Sequence, residues 1–177
     1  ENGIKLARLY TGRHKILTRY QSYHGASYGA MSASGDPRRL PMDTQQAPNF
    51  VHFDLPYLSR WEYGEENLLK ESVASLERVI AFEGPANIAA ILLEGESGSS
   101  GCLKYPVGYL KAIRVICNRH GILLIMDEVM SGFGRTGKWF GFENHGIVPD
   151  KIAMAKGLTC GYLPFGCLMV SDKIAAK

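Results

Sequence analysis

The chain has 177 residues, a net charge of +3, 46% apolar residues and 21% charged residues, which suits a globular protein with one core of ordinary size. Lys and Arg are scattered without a basic block, so the sequence argues against a nucleic-acid partner. No apolar run is as long as a membrane span, and the four cysteines and five histidines lack the spacings of a disulfide framework or a metal site.

The first half of the chain predicts two strands and two or three helices. The opening residues indicate a helix that begins without a capping residue, and a strand follows it. Residues 34–64 contain four prolines and no sustained period, which predicts an irregular binding loop or surface segment. In chain order we expect a helix at 1–10, a strand at 14–20, a turn at 23–30 that opens a short helix, a helix at 67–82 and a strand at 87–93.

The second half alternates in the same way around a short apolar run, residues 122–126, that leads directly into Asp127. Such a run between glycine and a turn predicts a strand buried on both faces of a parallel sheet. The other predicted elements are a helix at 106–120, a glycine-rich aromatic loop at 132–145, strands at 151–155 and 165–170, and a turn at 156–161. Strands that alternate with helices predict an α/β fold with a mainly parallel sheet flanked by helices.

Three predicted strands lead into chemically active side chains: Glu94, Asp127 and Lys156. Ligands of open α/β sheets bind beyond the carboxyl ends of the strands, and a carboxylate that ends an apolar strand requires a compensating partner. One interpretation is a structural salt bridge between Asp127 and Lys156. The other is a pyridoxal phosphate site, in which a lysine carries the aldehyde and an aspartate pairs with the ring nitrogen. Spacing alone leaves both interpretations open.

Several motifs resemble those of class III aminotransferases, which are pyridoxal phosphate enzymes of fold type I. The resemblance rests on Asp-Glu-Val-Met-Ser-Gly-Phe-Gly-Arg-Thr-Gly at 127–137, Val-Pro-Asp at 148–150 and Ala-Lys-Gly at 155–157. Tyr-His-Gly at 23–25 and the strand that ends at Glu94 match upstream features of the same family. Family chains are more than twice as long. We therefore expect residues 1–177 to be part of the large cofactor domain, truncated at both ends and without the small domain.

The resemblance implies roles for five residues around the cofactor. Lys156 would form the Schiff base with pyridoxal phosphate, and Asp127 would pair with the pyridine nitrogen. Val129 would pack against one face of the ring and Tyr23 against the other, although a core position is the alternative for both. Glu94 would lie near the ring and the substrate, with a hydrogen-bonding role or a purely structural one.

Four further features of the motifs are open to a structural interpretation. We expect His24 to be a structural histidine, Glu128 to bind local backbone, and Arg135 to be either a carboxylate clamp or a structural or interface residue. Met130 stands where many relatives have Gln, so a hydrogen bond to the cofactor's phenolic oxygen is missing or supplied elsewhere. Residues 95–101 also depart from the family pattern, which leaves the substrate contacts of that stretch open.

Residues 127–140 and 154–158 are most similar to the taurine:pyruvate and ω-amino acid branch of the family. This similarity implies ping-pong transfer of an amino group from taurine, β-alanine or another ω-amino donor to a 2-oxo acid, with pyruvate expected. The alternatives are an aminomutase of the glutamate-semialdehyde type and a non-catalytic module that keeps the fold. We expect a homodimer, a cytoplasmic location with a mitochondrial one as the alternative, and no turnover by this 177-residue piece alone.

Overall fold

The computed structural model describes residues 1–56 and 60–177, without the side chains of residues 60–63 and 65–66. Helices and strands alternate from α1 to β4, and three strands then follow one another before the last helix. Their order is α1 Asn2–Thr11, β1 Lys15–Arg19, α2 Tyr28–Ala33, β2 Phe50–Phe53, α3 Arg60–Glu83, β3 Ile88–Glu94, α4 Tyr109–His120, β4 Leu123–Asp127, β5 Lys151–Met154, β6 Cys167–Val170 and α5 Asp172–Ala175.

The described strands form one sheet in the order β2-β1-β3-β4-β5-β6. The first five are parallel to their neighbours, and β6 runs antiparallel to β5. This arrangement confirms the prediction of a mainly parallel sheet with flanking helices. Because parallel neighbours point the same way, the carboxyl ends of β1, β3, β4 and β5 lie at one edge of the sheet.

Both faces of the sheet are covered, which explains the uninterrupted apolar runs of the central strands. Every residue of β3 and β4 is buried. One face packs against α3 and α4 in a large core, and the other face packs against α1 and α5 in a smaller one. None of the described helices is long and apolar enough to cross a membrane.

The prediction of an irregular segment at 34–64 was largely wrong. The structure has a 3₁₀ helix at Pro37–Gln45, the edge strand β2, and the start of α3 at Arg60. Residues 57–59 of the predicted segment lie outside the described residues. Strand β2 has only four residues, and three of them are half-buried, so it lacks the apolar run that revealed β3 and β4.

Candidate active site

Four neighbouring parallel strands bring the predicted site residues to one edge of the sheet. The register of β3 and β4 pairs Glu94 with Asp127, and the register of β4 and β5 pairs Asp127 with Ala153, three residues before Lys156. Tyr23 follows the end of β1, which is the other neighbour of β3. These four residues therefore end or follow strands whose carboxyl ends lie at one edge of the sheet.

Among the described residues, the carboxylate of Asp127 has two partners, and Lys156 is not one of them. Oδ2 accepts a hydrogen bond from Nδ1 of His24 at 2.8 Å, and Oδ1 accepts one from the backbone N–H of Val129 at 3.1 Å. The side chains of His24 and Asp127 are only 2% and 10% exposed. A buried carboxylate with two donors is compensated without a countercharge from lysine, which removes the main reason for a structural salt bridge.

His24 is held in place on its backbone side as well as through its ring. Its backbone N–H donates to Oγ of Ser34 at 2.9 Å, while its ring donates to Asp127. The other ring nitrogen, Nε2, is buried and has no hydrogen-bond partner among the described residues. The sequence predicted a structural histidine, and the structure adds that this histidine orients the carboxylate at the centre of the site.

Glu94 is buried, and both of its carboxylate oxygens are engaged. Oε2 accepts from Nη2 of Arg19 at 3.1 Å, and Oε1 accepts from Oγ of Ser99 at 2.6 Å and from the backbone N–H of Tyr23 at 3.1 Å. Arg19 is itself fully buried and also donates to Oγ of Ser97 at 2.7 Å. Glu94 therefore fixes the backbone from which the Tyr23 ring projects.

The ring of Tyr23 is half-buried, and one of its faces is covered by a cation. The guanidinium carbon of Arg38 lies 4.0 Å from the ring centroid, which is a cation–π geometry. Two nitrogens of Arg38 also donate to the carboxylate of Asp36, at 2.7 and 2.9 Å, and these hydrogen bonds hold the pKa of Asp36 below its usual value. Stacking by Tyr23 is therefore restricted to the face opposite Arg38.

Lys156 lies just beyond β5, at the start of the short 3₁₀ helix Lys156–Leu158. Its backbone is in the left-handed region (φ 43°), which is uncommon for a residue with a side chain. The side chain is exposed, and its amine nitrogen lies 3.0 Å from Sδ of Met130. Within the described chain, Lys156 forms no ion pair with Asp127 or with any other carboxylate.

The residue after this lysine must be small. A Cβ at Gly157 would lie 2.8 Å from Cβ of Phe133, in the glycine-rich loop that follows β4. Phe133 packs edge-on against Phe140, with the ring centroids 5.7 Å apart. This close approach sets the position of the turn that carries Lys156.

Glu128 anchors the same loop to the end of β4. This fully buried carboxylate accepts from Oγ of Ser131 at 2.6 Å and from the backbone N–H groups of Gly141 and Phe142 at 2.8 and 2.9 Å. Burial raises the pKa of Glu128, and the three hydrogen bonds oppose that shift. The prediction that Glu128 binds local backbone is confirmed. A Cβ at Gly95 would collide with this carboxylate, so the two strand ends fit tightly together.

Val129 and Arg135 lie at the outer side of the site. Val129 is half-buried and contributes its backbone N–H to Asp127. Arg135 is exposed and lines a cavity of about 900 Å³ together with Met130, Ser131 and residues of the loop after β3. The described residues contain no cluster of three or more His, Cys, Asp or Glu side chains suited to a metal ion.

Comparison with known proteins identifies the family to which this site belongs. Residues 1–177 match the family model of class III aminotransferases. The chain belongs to the class III aminotransferase family. Pyridoxal phosphate is the cofactor of this family, as the sequence motifs implied.

Three relatives illustrate what the chain is similar to. The chain is 38% identical to a taurine–pyruvate aminotransferase of Bilophila wadsworthia over 160 residues, which are 90% of this chain and 35% of the relative. It is 43% identical, with a TM-score of 0.95, to a taurine:2-oxoglutarate aminotransferase of Bifidobacterium kashiwanohense solved with pyridoxal phosphate and glutamate. It is 42% identical, with a TM-score of 0.94, to an (S)-enantioselective ω-transaminase of Thermomicrobium roseum.

These two structural matches cover 99% of this chain but only 40% and 41% of the solved chains. The chain thus spans less than half of the length of the relatives it matches. Over that span it keeps their fold.

The main feature that the sequence did not reveal is the contact between His24 and Asp127. The available signal was the need of Asp127 for a partner, combined with a histidine in the Tyr-His-Gly motif. Spacing could not connect the two residues, because they lie 103 positions apart. The contact of Met130 with Lys156 was missed for the same reason.

Proposed function

We propose that this chain supplies the pyridoxal phosphate lysine of a transaminase that moves an amino group from an ω-amino donor to a 2-oxo acid. One observation carries the proposal. Neighbouring strand ends present a carboxylate that is already compensated, Asp127, and an exposed amine with no carboxylate partner among the described residues, Lys156. Asp127 and Lys156 therefore do not stabilise the fold as an ion pair, and both are available to a ligand that lies between them.

Asp127 fits the pyridine nitrogen of the cofactor. When bound, pyridoxal phosphate supplies an aldehyde that takes up amino groups and a ring that accepts electrons from the substrate's Cα. His24 and the N–H of Val129 each occupy one oxygen of Asp127, and a carboxylate has about four lone-pair sites. Asp127 therefore keeps the capacity to accept a third hydrogen bond, from a protonated ring nitrogen, and its negative charge keeps that proton in place.

Lys156 fits the aldehyde and the proton transfer. Its amine is exposed, and its hydrogen-bond partner among the described residues is the thioether of Met130, a weak acceptor. The amine is therefore free to bond to the aldehyde carbon. Lys156 would hold the aldehyde group of the cofactor, and its Nζ would move the proton at the substrate's Cα.

Tyr23, Val129 and Glu94 complete the proposed site. The face of the Tyr23 ring opposite Arg38 would stack on the cofactor, and Val129, two residues beyond β4, would pack on the other side of the cofactor ring. Glu94 acts through its hydrogen bond to the backbone of Tyr23. We assign it a positioning role, because its carboxylate already accepts three hydrogen bonds and one of them comes from the backbone of Tyr23.

We further propose taurine or another ω-amino compound as the donor and pyruvate as the acceptor. The taurine–pyruvate relative supports this pair, whereas the name of the Bifidobacterium relative favours 2-oxoglutarate as the acceptor. Comparing kcat/KM for the two acceptors with the intact protein separates these assignments. Assembly as a homodimer is a proposal from the family resemblance and is tested by measuring the mass in solution.

Cofactor attachment is the first experiment. The intact protein is incubated with pyridoxal phosphate, reduced with borohydride, and digested for peptide mapping. We expect the label on Lys156, and we expect no label there in Lys156→Arg, because arginine keeps the charge but does not lose its proton. Lys138→Arg, an exposed lysine in the neighbouring loop, is the matched control and should label like the wild type. A label on another lysine, or none, would overturn the proposal.

A further inference from the structure

Met130 is the partner of the Lys156 amine in this structure. Its sulfur lies 3.0 Å from Nζ, and the described chain places no carboxylate within ion-pair distance of that amine. A thioether is a soft, weak acceptor, so this contact places the amine without binding it strongly. The reactivity of Lys156 is therefore sensitive to the chemical state of the sulfur.

The same sulfur is accessible to small reagents. Met130 is 49% exposed and lines the cavity of about 900 Å³ beside the site. On its other side the residue is confined, because a Cβ at Gly98 would lie 3.2 Å from Cβ and 3.5 Å from Cε of Met130. The sulfur of Met130 therefore belongs to a residue that lines the cavity, and it lies within 3.0 Å of the Lys156 amine.

We propose that Met130 is an oxidation site through which peroxides control the availability of the Lys156 amine. The inference rests on the proposed role of Lys156. In the reaction, a lone pair of the sulfur attacks one oxygen of hydrogen peroxide, the O–O bond breaks, and the sulfur–oxygen bond of a sulfoxide forms. Sulfur loses two electrons, the peroxide gains them, and water leaves.

Oxidation of Met130 to the sulfoxide changes the hydrogen-bond acceptor that lies beside the Lys156 amine. A sulfoxide is polar where the thioether was apolar, and its oxygen accepts a charge-assisted hydrogen bond from an ammonium group. That bond occupies the amine, so less of it is available as a nucleophile. Oxidation therefore lowers the reactivity of Lys156 several-fold, and methionine sulfoxide reductase restores it by returning the thioether.

The oxidation is tested on the intact, cofactor-free protein. Hydrogen peroxide is followed by a thiol reductant, which restores reversibly oxidised cysteines such as Cys160 near the same turn but leaves sulfoxides. Peptide mass spectrometry then follows Met130 beside Met42 and Met169, which are 41% and 49% exposed. We expect Met130 to gain one oxygen atom at least as fast as those two. A Met130 that stays reduced while Met42 and Met169 are oxidised would overturn the proposal.

The consequence for Lys156 is measured without the cofactor. Acetic anhydride acylates free amines, and the acylated peptide that contains Lys156 reports its reactivity. We expect peroxide to lower this acylation several-fold in the wild type and in Met169→Leu, and the reductase to restore it. In Met130→Leu, which keeps an apolar side chain of similar size against Gly98, peroxide should change nothing. Unchanged acylation in the oxidised wild type, or an equal loss in Met130→Leu, would refute the inference.

A second arm separates this inference from the proposed function. Untreated protein that pyridoxal phosphate and borohydride do not label on Lys156 contradicts the proposed function, while the acylation result still reports the contact of Met130 with Lys156. Label on Lys156 in untreated protein, together with acylation that peroxide leaves unchanged, contradicts the role of Met130 alone.

Discussion

Replacing His24 with alanine is expected to weaken the binding of pyridoxal phosphate by about tenfold to a hundredfold. His24 and Asp127 are both buried, and the hydrogen bond between them is 2.8 Å long. A hydrogen bond to a charged group contributes about 1.5–3 kcal/mol, and each 1.4 kcal/mol is about tenfold in Kd. Without the ring, the N–H of Val129 is the remaining described donor to the carboxylate, which then rotates away from the direction in which it would meet the ring nitrogen.

The measurement pairs a cofactor titration, followed by absorbance, with urea unfolding of the cofactor-free protein. His24→Asn is the matched variant, because its amide N–H lies at the same distance along the side chain as Nδ1 and can still donate to Asp127. We expect His24→Ala to lower both cofactor affinity and stability, and His24→Asn to recover more of the affinity than of the stability. Wild-type affinity in both variants, with reduced stability, would refute the positioning role and leave His24 a structural residue.

Three further substitutions test the charges on the sheet. Asp127→Asn keeps the shape but removes the charge, so we expect cofactor affinity and amino transfer to fall about a hundredfold or more. We also expect the free energy of unfolding to fall by about 1–3 kcal/mol, because the charged hydrogen bond to His24 is lost. Near-normal transfer would contradict the pairing with the ring nitrogen. Glu128→Ala leaves three buried donors without an acceptor, and we expect a loss of about 3–5 kcal/mol in the free energy of unfolding by urea. Because the pKa of Glu128 is raised on folding, its contribution to the free energy of unfolding is largest at low pH and declines as pH rises through the folded pKa. Glu128→Ala should lose this dependence of stability on pH. Burial lowers the pKa of Lys151 from 10.5 to about 8, so the free energy of unfolding should fall as pH drops from 10.5 to 8. Lys151→Met should remove this pH dependence and raise the free energy of unfolding by about 1–3 kcal/mol near neutral pH.

The contrast between β2 and the central strands shows which strands can be predicted from the local sequence. Strands β3 and β4 are buried on both faces, so the residues before their final carboxylates are apolar whichever strands lie beside them. Such a run can be recognised from the local sequence alone. Strand β2 lies at the edge, and its four residues pair with β1 from Ile16 to Arg19. Its strand identity depends on that pairing, which a local pattern of Phe-Val-His-Phe after several prolines does not reveal.

The same distinction applies to the site. The placement of Asp127 and Lys156 at strand ends could be predicted, because each belongs to a short, specific motif next to a strand that the local sequence indicates. The partners of these residues could not, because they depend on the order of the strands. His24 reaches Asp127 from beyond β1, and nothing in the local sequence states that β3 separates β1 from β4. The contact of Met130 with Lys156 likewise requires β4 and β5 to be neighbours.

The carboxylates at this edge of the sheet have several hydrogen-bond donors, whereas the lysine has no carboxylate partner among the described residues. This difference follows from how deeply each side chain is buried. Glu94, Asp127 and Glu128 end buried strands or follow them directly, and a carboxylate there must be satisfied by donors before the chain can fold. Each of them has both oxygens engaged. Lys156 lies one step further out, on an exposed turn, where an amine needs no partner. Folding therefore fixes the carboxylates and leaves the amine exposed, with no carboxylate partner among the described residues, which is the arrangement that carbonyl chemistry on a lysine requires.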